Sequence, residues 1–260
     1  CSVSLIEKKE KFGGACTHQT KIIGSKKIVY AQGATVLGMM PDFIFNEIGL
    51  SKKIKIYAPK HPKLVYFPGS HISTKIYQDH EKLNYELKSK WNEKGDLKKF
   101  RSDESKIVDY IRKGYKEAES PSIENAENEL GNDLVELWIK GSAKDLLDHY
   151  FTSEKTKIYM GMTCIESGAS SIYNKGTAFT IPLMDSGSIF DGYWGYVKGG
   201  IWKIIDEISD INNKIGVELF NSSKIINIDN DKSEISFRQN NKNYLLKYDY
   251  LVFATDPLTP

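Results

Sequence analysis

Short apolar runs and helically spaced apolar residues alternate along the chain, which predicts a mixed α/β protein. Val3–Ile6 is a mainly apolar run that is followed by an acid, Glu7. A run of this length is typical of a strand buried in a parallel sheet. Two adjacent glycines, Gly13 and Gly14, come after the acid and indicate a turn where backbone approaches another group. The chain therefore begins with a predicted strand and a glycine turn.

The region up to Phe67 carries short strand patterns and one short helix pattern. Pro41 is expected in the first turn of a helix that reaches Ile48, and Gly49 is expected to end it. The polar segment Cys16–Gly24 is predicted to be irregular. Strands are predicted over Lys27–Tyr30, Lys53–Tyr57 and Leu64–Phe67. The last two favour β structure laid over a cavity, not the core of a parallel sheet.

Apolar residues at helical spacing dominate the middle of the chain. Helices are predicted over Ser73–Asn92, Ser105–Gly114, Leu134–Lys140, Ala143–Phe151 and Ser153–Cys164. The segment Ala118–Asn132 is acidic and weakly apolar, which fits either a loop or an exposed helix. The helices are expected to pack on one another.

One long helix leads back into strands near the end of the chain. Isoleucines spaced three and four residues apart predict a helix from Gly200 to Lys214. Strands are predicted over Gly216–Phe220, Lys224–Ile228, Ser233–Arg238, Tyr244–Tyr248 and Tyr250–Ala254. A helix, a strand, a small meander and a closing strand in this order are typical of a dinucleotide-binding fold.

Composition removes several classes of function. Hydrophobic residues make up 40% of the 260 residues, and the net charge of +2 comes from interspersed signs, so neither nucleic acid nor an acidic membrane surface is expected as a partner. Three widely spaced cysteines support neither a disulfide framework nor a zinc site. No apolar run is long enough to span a membrane. A reducing compartment is expected, either the cytoplasm or, in a eukaryote, the mitochondrial matrix. The sequence leaves open whether the protein forms a homo-oligomer.

The acid followed by two glycines is the strongest candidate for chemistry. In a dinucleotide-binding sheet, an acid at the end of the second strand accepts hydrogen bonds from ribose hydroxyls, and glycines let backbone amides approach a pyrophosphate. Other chemistries find less support. Ser167–Ser171 lacks the Gly-x-Ser-x-Gly elbow of a hydrolase, and the five histidines show no ligand spacing.

Three blocks of the sequence resemble the FAD-dependent amine oxidase and phytoene desaturase superfamily. They are Leu5–Lys9 with Gly13–Ala15, Gly192–Gly200, and Leu251–Pro257. The blocks are most similar to phytoene-desaturase-like proteins, the group that includes pyridine nucleotide-disulfide oxidoreductase domain-containing protein 2. The resemblance implies an α/β, Rossmann-like FAD-binding fold of the two-dinucleotide-binding type. Its FAD-binding parts would be residues 1–50 and 191–260, with an inserted α+β substrate domain at 51–190.

The resemblance also implies a cofactor, FAD, and roles for individual residues. Glu7 would bind the adenosine ribose, Lys9 would lie near the adenosine, and Gly13, Gly14 and Ala15 would pass the pyrophosphate or ribityl chain. The backbone of Ile225 would meet the adenine, and Thr255 would lie at the end of a strand that faces the cofactor. The implied reaction is hydride transfer from a carbon centre of an apolar small molecule to flavin N5. No catalytic residue can be named from the sequence.

The sequence leaves two questions open, namely the role of Trp194 and Tyr196 and the class of function. Trp194 and Tyr196 would either wall the flavin or substrate cavity, or pack the helix Gly200–Lys214 against the sheet. Rab GDP-dissociation inhibitors share the architecture but bind a prenylated protein without flavin chemistry. A strict amine oxidase would need an aromatic cage beside the flavin.

The blocks also predict that the chain is part of a longer enzyme. The family's Gly-x-Gly-x-x-Gly turn would lie before Cys1, and its last flavin-contacting block after Pro260. The chain is therefore expected to be about half of an enzyme and, by itself, to bind FAD poorly, because the turn and its helix hold the phosphates.

Overall fold

The computed structural model describes residues 2–61, 63–118, 121–166 and 170–256. The strands are β1 (Ser4–Ile6), β2 (His18–Ile23), β3 (Lys26–Ala31), β4 (Ile56–Tyr57), β5 (Lys63–Val65), β6 (Thr74–Ile76), β7 (Tyr196–Val197), β8 (Glu218–Phe220), β9 (Ser223–Asp229), β10 (Glu234–Gln239) and β11 (Lys242–Lys247). The α-helices are α1 (Asp42–Glu47), α2 (His80–Trp91), α3 (Leu97–Glu117), α4 (Ile123–Leu130), α5 (Asn132–Leu134), α6 (Ala143–Tyr150), α7 (Glu154–Glu166), α8 (Thr180–Met184) and α9 (Trp202–Lys214). A π-helix covers Val135–Lys140, and 3₁₀ turns cover Gly14–Cys16, Leu50–Lys52 and Thr177–Phe179.

The chain forms two compact units. The terminal unit combines Cys1–Thr35 with Gly199–Pro260, and the central unit is Val36–Lys198. The terminal unit holds the strands β1 to β3 and β8 to β11 with the helix α9, whereas the central unit is mostly helical. The mixed helix and strand class expected from the sequence is confirmed, with sheets of two or three strands among the described residues.

In the terminal unit, β1 and β8 form a parallel pair in which Ser4 lies opposite Glu218. The predicted parallel strand is confirmed, but its predicted burial is wrong, because Val3 is 50% exposed and Leu5 is 38% exposed. Among the described strands, β1 has one hydrogen-bonded neighbour, β8. A pair of three-residue strands covers little apolar surface, so the side chains of β1 stay accessible.

The strands β9, β10 and β11 form an antiparallel meander with β10 in the middle. Phe237 on β10 is fully buried and stacks on Tyr244 with ring centroids 5.1 Å apart. Phe220 of β8 contacts Phe237 at 4.9 Å and Tyr244 at 5.6 Å. This aromatic cluster packs the meander against the parallel pair.

Two strand predictions at other places are wrong. Cys16–Gly24 is predicted to be irregular, yet β2 pairs with β3 in an antiparallel hairpin whose turn residue Gly24 has a φ of +60°. Tyr250–Ala254 is predicted to be a strand, yet residues 250–254 are irregular, and Val252 is 84% exposed. In both cases the hydrogen-bonding neighbour decides the outcome: β3 pairs with the polar segment, and no described strand pairs with the apolar one.

The helix predictions of the central unit are confirmed with shifted boundaries. α2 begins at His80 because the Asp79 carboxylate accepts hydrogen bonds from the N–H groups of Glu81 and Lys82 at 3.1 and 3.0 Å. The residues before this cap form β6 instead of a first helical turn. α3 is longer than its pattern predicts and begins after Asp96, which accepts from Lys99 N–H at 2.9 Å.

The core of the central unit is built around aromatic rings. Phe100 of α3 is fully buried, with its ring centroid 5.0 Å from those of Trp138 and Phe151. The Trp138 Nε1–H group donates a 3.1 Å hydrogen bond to the Tyr150 hydroxyl, which donates in turn to Asp103 at 2.8 Å. The polar atoms inside this cluster are therefore satisfied, as burial requires.

A buried carboxylate, Glu93, joins two helix connections of the central unit. It is 3% exposed and follows α2, and its Oε1 atom accepts hydrogen bonds from the N–H groups of Lys94, Gly95 and Thr152 at 2.9, 2.6 and 2.9 Å. Its Oε2 atom accepts from Ser153 N–H at 3.2 Å. Burial alone raises the pKa of Glu93, but these donors outweigh burial and hold the pKa below its ordinary value.

Gly95 allows the two connections to approach closely. A Cβ atom added at Gly95 would lie 2.0 Å from the carbonyl oxygen of Tyr150 and 2.8 Å from the Cα of Phe151. The next residue, Asp96, donates its N–H to the same Tyr150 carbonyl at 3.0 Å. The α2–α3 connection thus lies directly on the α6–α7 connection.

We expect Glu93→Gln to lower the free energy of unfolding at neutral pH by about 1–3 kcal/mol, because a neutral amide replaces a charged acceptor of several N–H groups. The difference should shrink in acid, as pH falls from the ordinary glutamate pKa of 4.5 through the lowered native pKa. Urea unfolding at neutral and acid pH measures it. Glu124→Gln, at an exposed position of α4, is the control. Equal stability of the two variants would contradict a stabilising role for the Glu93 carboxylate.

Candidate functional site

Glu7, the predicted ribose-binding acid, lies directly after β1 and has a fixed backbone. Its N–H donates to the carbonyl of Phe220 at 2.8 Å, and its carbonyl accepts from Ser223 N–H at 2.9 Å. The carboxylate Oε1 atom accepts from Lys9 N–H at 2.7 Å. These bonds hold Glu7 between the end of β8 and the start of β9.

Further hydrogen bonds tie the residues after Glu7 to the same place. Ser222 N–H donates to the carbonyl of Lys9 at 2.9 Å, and the Asn221 amide donates to the carbonyl of Glu10 at 2.7 Å. Gln239 of the meander donates to the Asn221 carbonyl at 2.7 Å. The structure therefore brings Glu7 and Lys9 beside the start of β9, the strand that carries Ile225 and leaves it 40% exposed.

The two glycines play different parts in the loop that follows. Gly13 has a φ of +112°, and a Cβ atom there would lie 2.8 Å from the side chain of Ile205 on α9, so the packing of α9 requires glycine. Gly14 also has a positive φ, +52°, but no atom lies within 4 Å of its added Cβ. The loop is therefore packed on one side and open at Gly14 and at the exposed Ala15.

The remaining predicted site residues lie far from this segment in the sequence. Thr255 is exposed and belongs to no strand. Trp194 lies in the central unit, packs its ring against Gly38 and donates Nε1–H to the Met184 carbonyl at 3.3 Å. Tyr196 of β7 stacks on Tyr57 of β4 with ring centroids 5.6 Å apart. The structure thus brings Glu7, Lys9 and the glycine loop together within one unit, and Trp194 and Tyr196 lie in the other.

A second candidate site, absent from the sequence predictions, lies in the central unit. A cavity of about 510 Å³ opens between β5, α3, α7 and α8, and a smaller one of about 160 Å³ lies nearby. Arg101, Glu104 and Asp185 line both cavities. The remaining walls of the larger cavity mix polar side chains, Lys63 and Thr163, with apolar and aromatic ones, namely Leu64, Val65, Tyr66, Tyr159, Met160, Met162 and Ile181.

Charged groups meet where the two cavities adjoin. Arg101 Nη1 donates to Glu104 Oε2 and lies 3.4 Å from the Asp185 carboxylate. The Glu104 side chain is 5% exposed, and its Oε1 atom has no hydrogen-bond partner in the described part of the chain. A buried carboxylate oxygen without a donor is costly, so this atom is available to a ligand.

Burial raises the pKa of Glu104 to about 7, and the positive charge of Arg101 compensates only in part. Glu104 therefore changes its charge near neutral pH. It can accept a hydrogen bond as a carboxylate or donate one as a carboxylic acid to a molecule in the cavity. Perturbed acids in clefts are common at functional sites.

One sequence signal marks this cluster. Glu104 occupies the buried face of α3 in register with Phe100, Ile107 and Ile111, where an apolar residue is expected. A carboxylate in an apolar stripe indicates either a buried ion pair or a functional site. Arg101, three residues earlier, is a partner that the helical spacing indicates. Sequence alone does not show that Asp185 and the cavity walls meet this pair, because they come from distant parts of the chain.

Two further features are absent from the described residues. They contain no group of three or more His, Cys, Asp or Glu side chains that could hold a metal ion. None of the helices in the described ranges is long and apolar enough to cross a membrane.

We expect the free energy of unfolding of the wild-type protein to fall by about 2–3 kcal/mol as pH rises from 4.5 to about 7, compared with that of the Glu104→Gln variant. The sign follows from the raised pKa: the unfolded chain releases this proton first, so rising pH favours unfolding until the native carboxyl also ionises. Urea unfolding across this range measures the difference. The stability of the control variant Glu124→Gln should depend on pH as that of the wild type does. If Glu104→Gln showed this same dependence, the raised pKa of Glu104 would be refuted.

Neither a protein-family model nor a curated protein matches the sequence. The fold is similar to that of a Pyrococcus furiosus protein determined by a structural genomics consortium, with a TM-score of 0.52 and 14% identity over 94% of this chain and 50% of the other. It is also similar to cyclohexylamine oxidase from Brevibacterium oxydans, with a TM-score of 0.50 and 13% identity over 95% of this chain and 51% of the other. The chain spans about half the length of both structures. At this identity, the likeness shows a shared fold.

Proposed function

We propose that the chain belongs to an FAD-dependent oxidoreductase and carries the part that binds the adenosine end of the cofactor. The observation that carries the proposal is Glu7, an acid fixed at the end of a parallel strand beside the start of β9. A strand-end acid in this position is the ribose ligand of dinucleotide-binding folds. The fold shared with cyclohexylamine oxidase supports a place among the amine oxidases.

The residues present fit the adenosine half of FAD. One Glu7 carboxylate oxygen is oriented by Lys9 N–H, and the other has no hydrogen-bond partner within the described ranges, so it is free to accept from a ribose hydroxyl. Gly14 and Ala15 leave an open path along the loop. Ile225 is proposed to meet the adenine and Thr255 to lie near the cofactor.

When bound, FAD accepts a hydride at N5 from a carbon centre of the substrate. The chain's contribution to that reaction is to hold the cofactor through Glu7 and to enclose the substrate. The cavity of about 510 Å³, whose lining includes apolar and aromatic side chains beside its charged ones, is proposed to take up an apolar substrate. Glu104 would then orient a polar group of that substrate, and Trp194 and Tyr196 are proposed to contact the flavin or the substrate. The support for a phytoene-desaturase-like reaction is the resemblance of the three sequence blocks.

A strict amine oxidase is the second candidate, and one observation favours it. The Glu104 Oε1 atom, buried and unpartnered within the described ranges, is a suitable acceptor for an amine N–H group. A non-catalytic protein similar to Rab GDP-dissociation inhibitors is less well supported, since a protein that binds no nucleotide has little use for the fixed Glu7 carboxylate.

We expect the protein expressed from its complete reading frame to purify with the yellow absorption of an oxidised flavin, which bleaches on reduction with dithionite. Glu7→Ala should weaken FAD retention by about 1–3 kcal/mol, because hydrogen bonds to a charged group are lost. Fluorescence titration of the apoprotein with FAD measures the effect. Glu10→Ala, an exposed acid of the same loop, is the matched control.

Two results would contradict the proposal in different ways. A colourless, well-folded protein that gains no FAD in the titration would refute the flavoenzyme. Equal FAD affinity of the Glu7→Ala and Glu10→Ala variants would leave the flavoenzyme standing and show that another residue binds the ribose.

A further inference from the structure

The tip of the β2–β3 hairpin, residues 20–29, exposes aliphatic side chains on both of its strands. Ile22 is 74% exposed and Ile23 is 55% exposed, beside the turn. Ile28 and Val29 on the second strand are 42% and 41% exposed. Because successive side chains of a strand point to opposite faces, Ile22 and Ile23 make both faces of the tip apolar. Neither face of the tip is therefore covered by the core of its unit.

Positive charge surrounds these aliphatic residues. Lys21, Lys26 and Lys27 are exposed and form no ion pair with any residue in the described ranges. The hairpin, residues 18–31, contains no Asp or Glu, so its three lysines are not compensated locally. The net charge of +2 for the whole chain hides this concentration, because acids elsewhere balance it.

The register interleaves the two kinds of side chain. Across the strands, Lys21 lies opposite Ile28, and Lys27 lies opposite Ile22. The pair nearest the turn is Ile23 with Lys26. Each of these cross-strand pairs thus combines one aliphatic and one cationic side chain, and lysine stems can lie along apolar surface while their charges reach outward.

We propose that the hairpin tip docks on an anionic lipid membrane surface. Ile22 and Ile23 would enter the boundary between headgroups and acyl chains, and the three lysines would bind headgroup phosphates and carboxylates. A membrane fits better than a partner protein, because a protein docked on a two-stranded hairpin covers one face, whereas the lipid interface surrounds the tip and covers both. The docking is peripheral and needs no spanning helix.

The docking does not depend on the proposed flavin chemistry. It uses no residue of the Glu7 segment or of the central cavity, and it is measured without cofactor or turnover. Loss of vesicle binding and loss of FAD binding are therefore separate results.

Vesicle flotation of the protein tests the proposal. We expect the protein to float with vesicles of phosphatidylcholine and phosphatidylserine and to remain behind with phosphatidylcholine alone. Binding should weaken as salt rises, since the Debye length falls from about 10 Å at 0.1 M to about 3 Å at 1 M. No flotation with anionic vesicles, or equal flotation with neutral ones, would overturn the proposal.

Charge variants locate the contact. Replacing Lys21, Lys26 and Lys27 by Glu should weaken binding by roughly 100-fold or more, at about fivefold for each lysine charge near the surface. The control replaces Lys88, Lys94 and Lys98 by Glu, which changes the net charge of the chain equally at exposed sites of the central unit. An equal loss in both triple variants would show attraction by net charge alone and overturn the assignment to the hairpin.

Aliphatic variants test insertion. The double variant Ile22→Ser, Ile23→Ser should bind anionic vesicles roughly tenfold more weakly, or worse, with unchanged thermal stability, because these side chains are exposed in the fold. The control, Ile158→Ser with Ile165→Ser, removes aliphatic side chains that are 54% and 68% exposed on α7. Wild-type binding by the hairpin variant would overturn insertion. So would a shift from dimer to monomer in this variant, which would show that a second copy covers the tip.

Discussion

The arrangement of the central unit depends on one buried carboxylate. Glu93 has lost its hydration. That cost is offset because N–H groups of the α2–α3 connection and of the α6–α7 connection point at it. Gly95 lets the two connections touch. With the start of α3 fixed in this way, Phe100 enters the aromatic core and the next turn of α3 carries Arg101 and Glu104 toward the cavities.

Glu93 and Glu104 show how environment decides the role of the same side chain. Glu93 is met by several donors, so its pKa is lowered and it stabilises the fold. Glu104 is equally buried but has one oxygen without a donor in the described part of the chain, so its pKa is raised and it changes charge near neutrality. A satisfied carboxylate is structural, whereas an unsatisfied one at a cavity is available for binding or proton exchange.

The terminal unit separates its packed and open surfaces in a similar way. Gly13 is required by the packing of Ile205, while Gly14 faces open space and one Glu7 carboxylate oxygen has no hydrogen-bond partner within the described ranges. The β2–β3 hairpin of the same unit exposes isoleucines and lysines instead of burying them.

The sequence by itself determined what depends on local periodicity and local chemistry. It predicted α9, the meander from β9 to β11, the parallel β1 and the acid Glu7, because these features follow from residue spacing within one element. Only the tertiary structure decided that the polar segment at β2 is a strand and that residues 250–254 are not, since a strand needs a neighbour. It also decided that Glu104 is a candidate site residue, because the cost of burying a charge depends on groups brought together from distant parts of the chain.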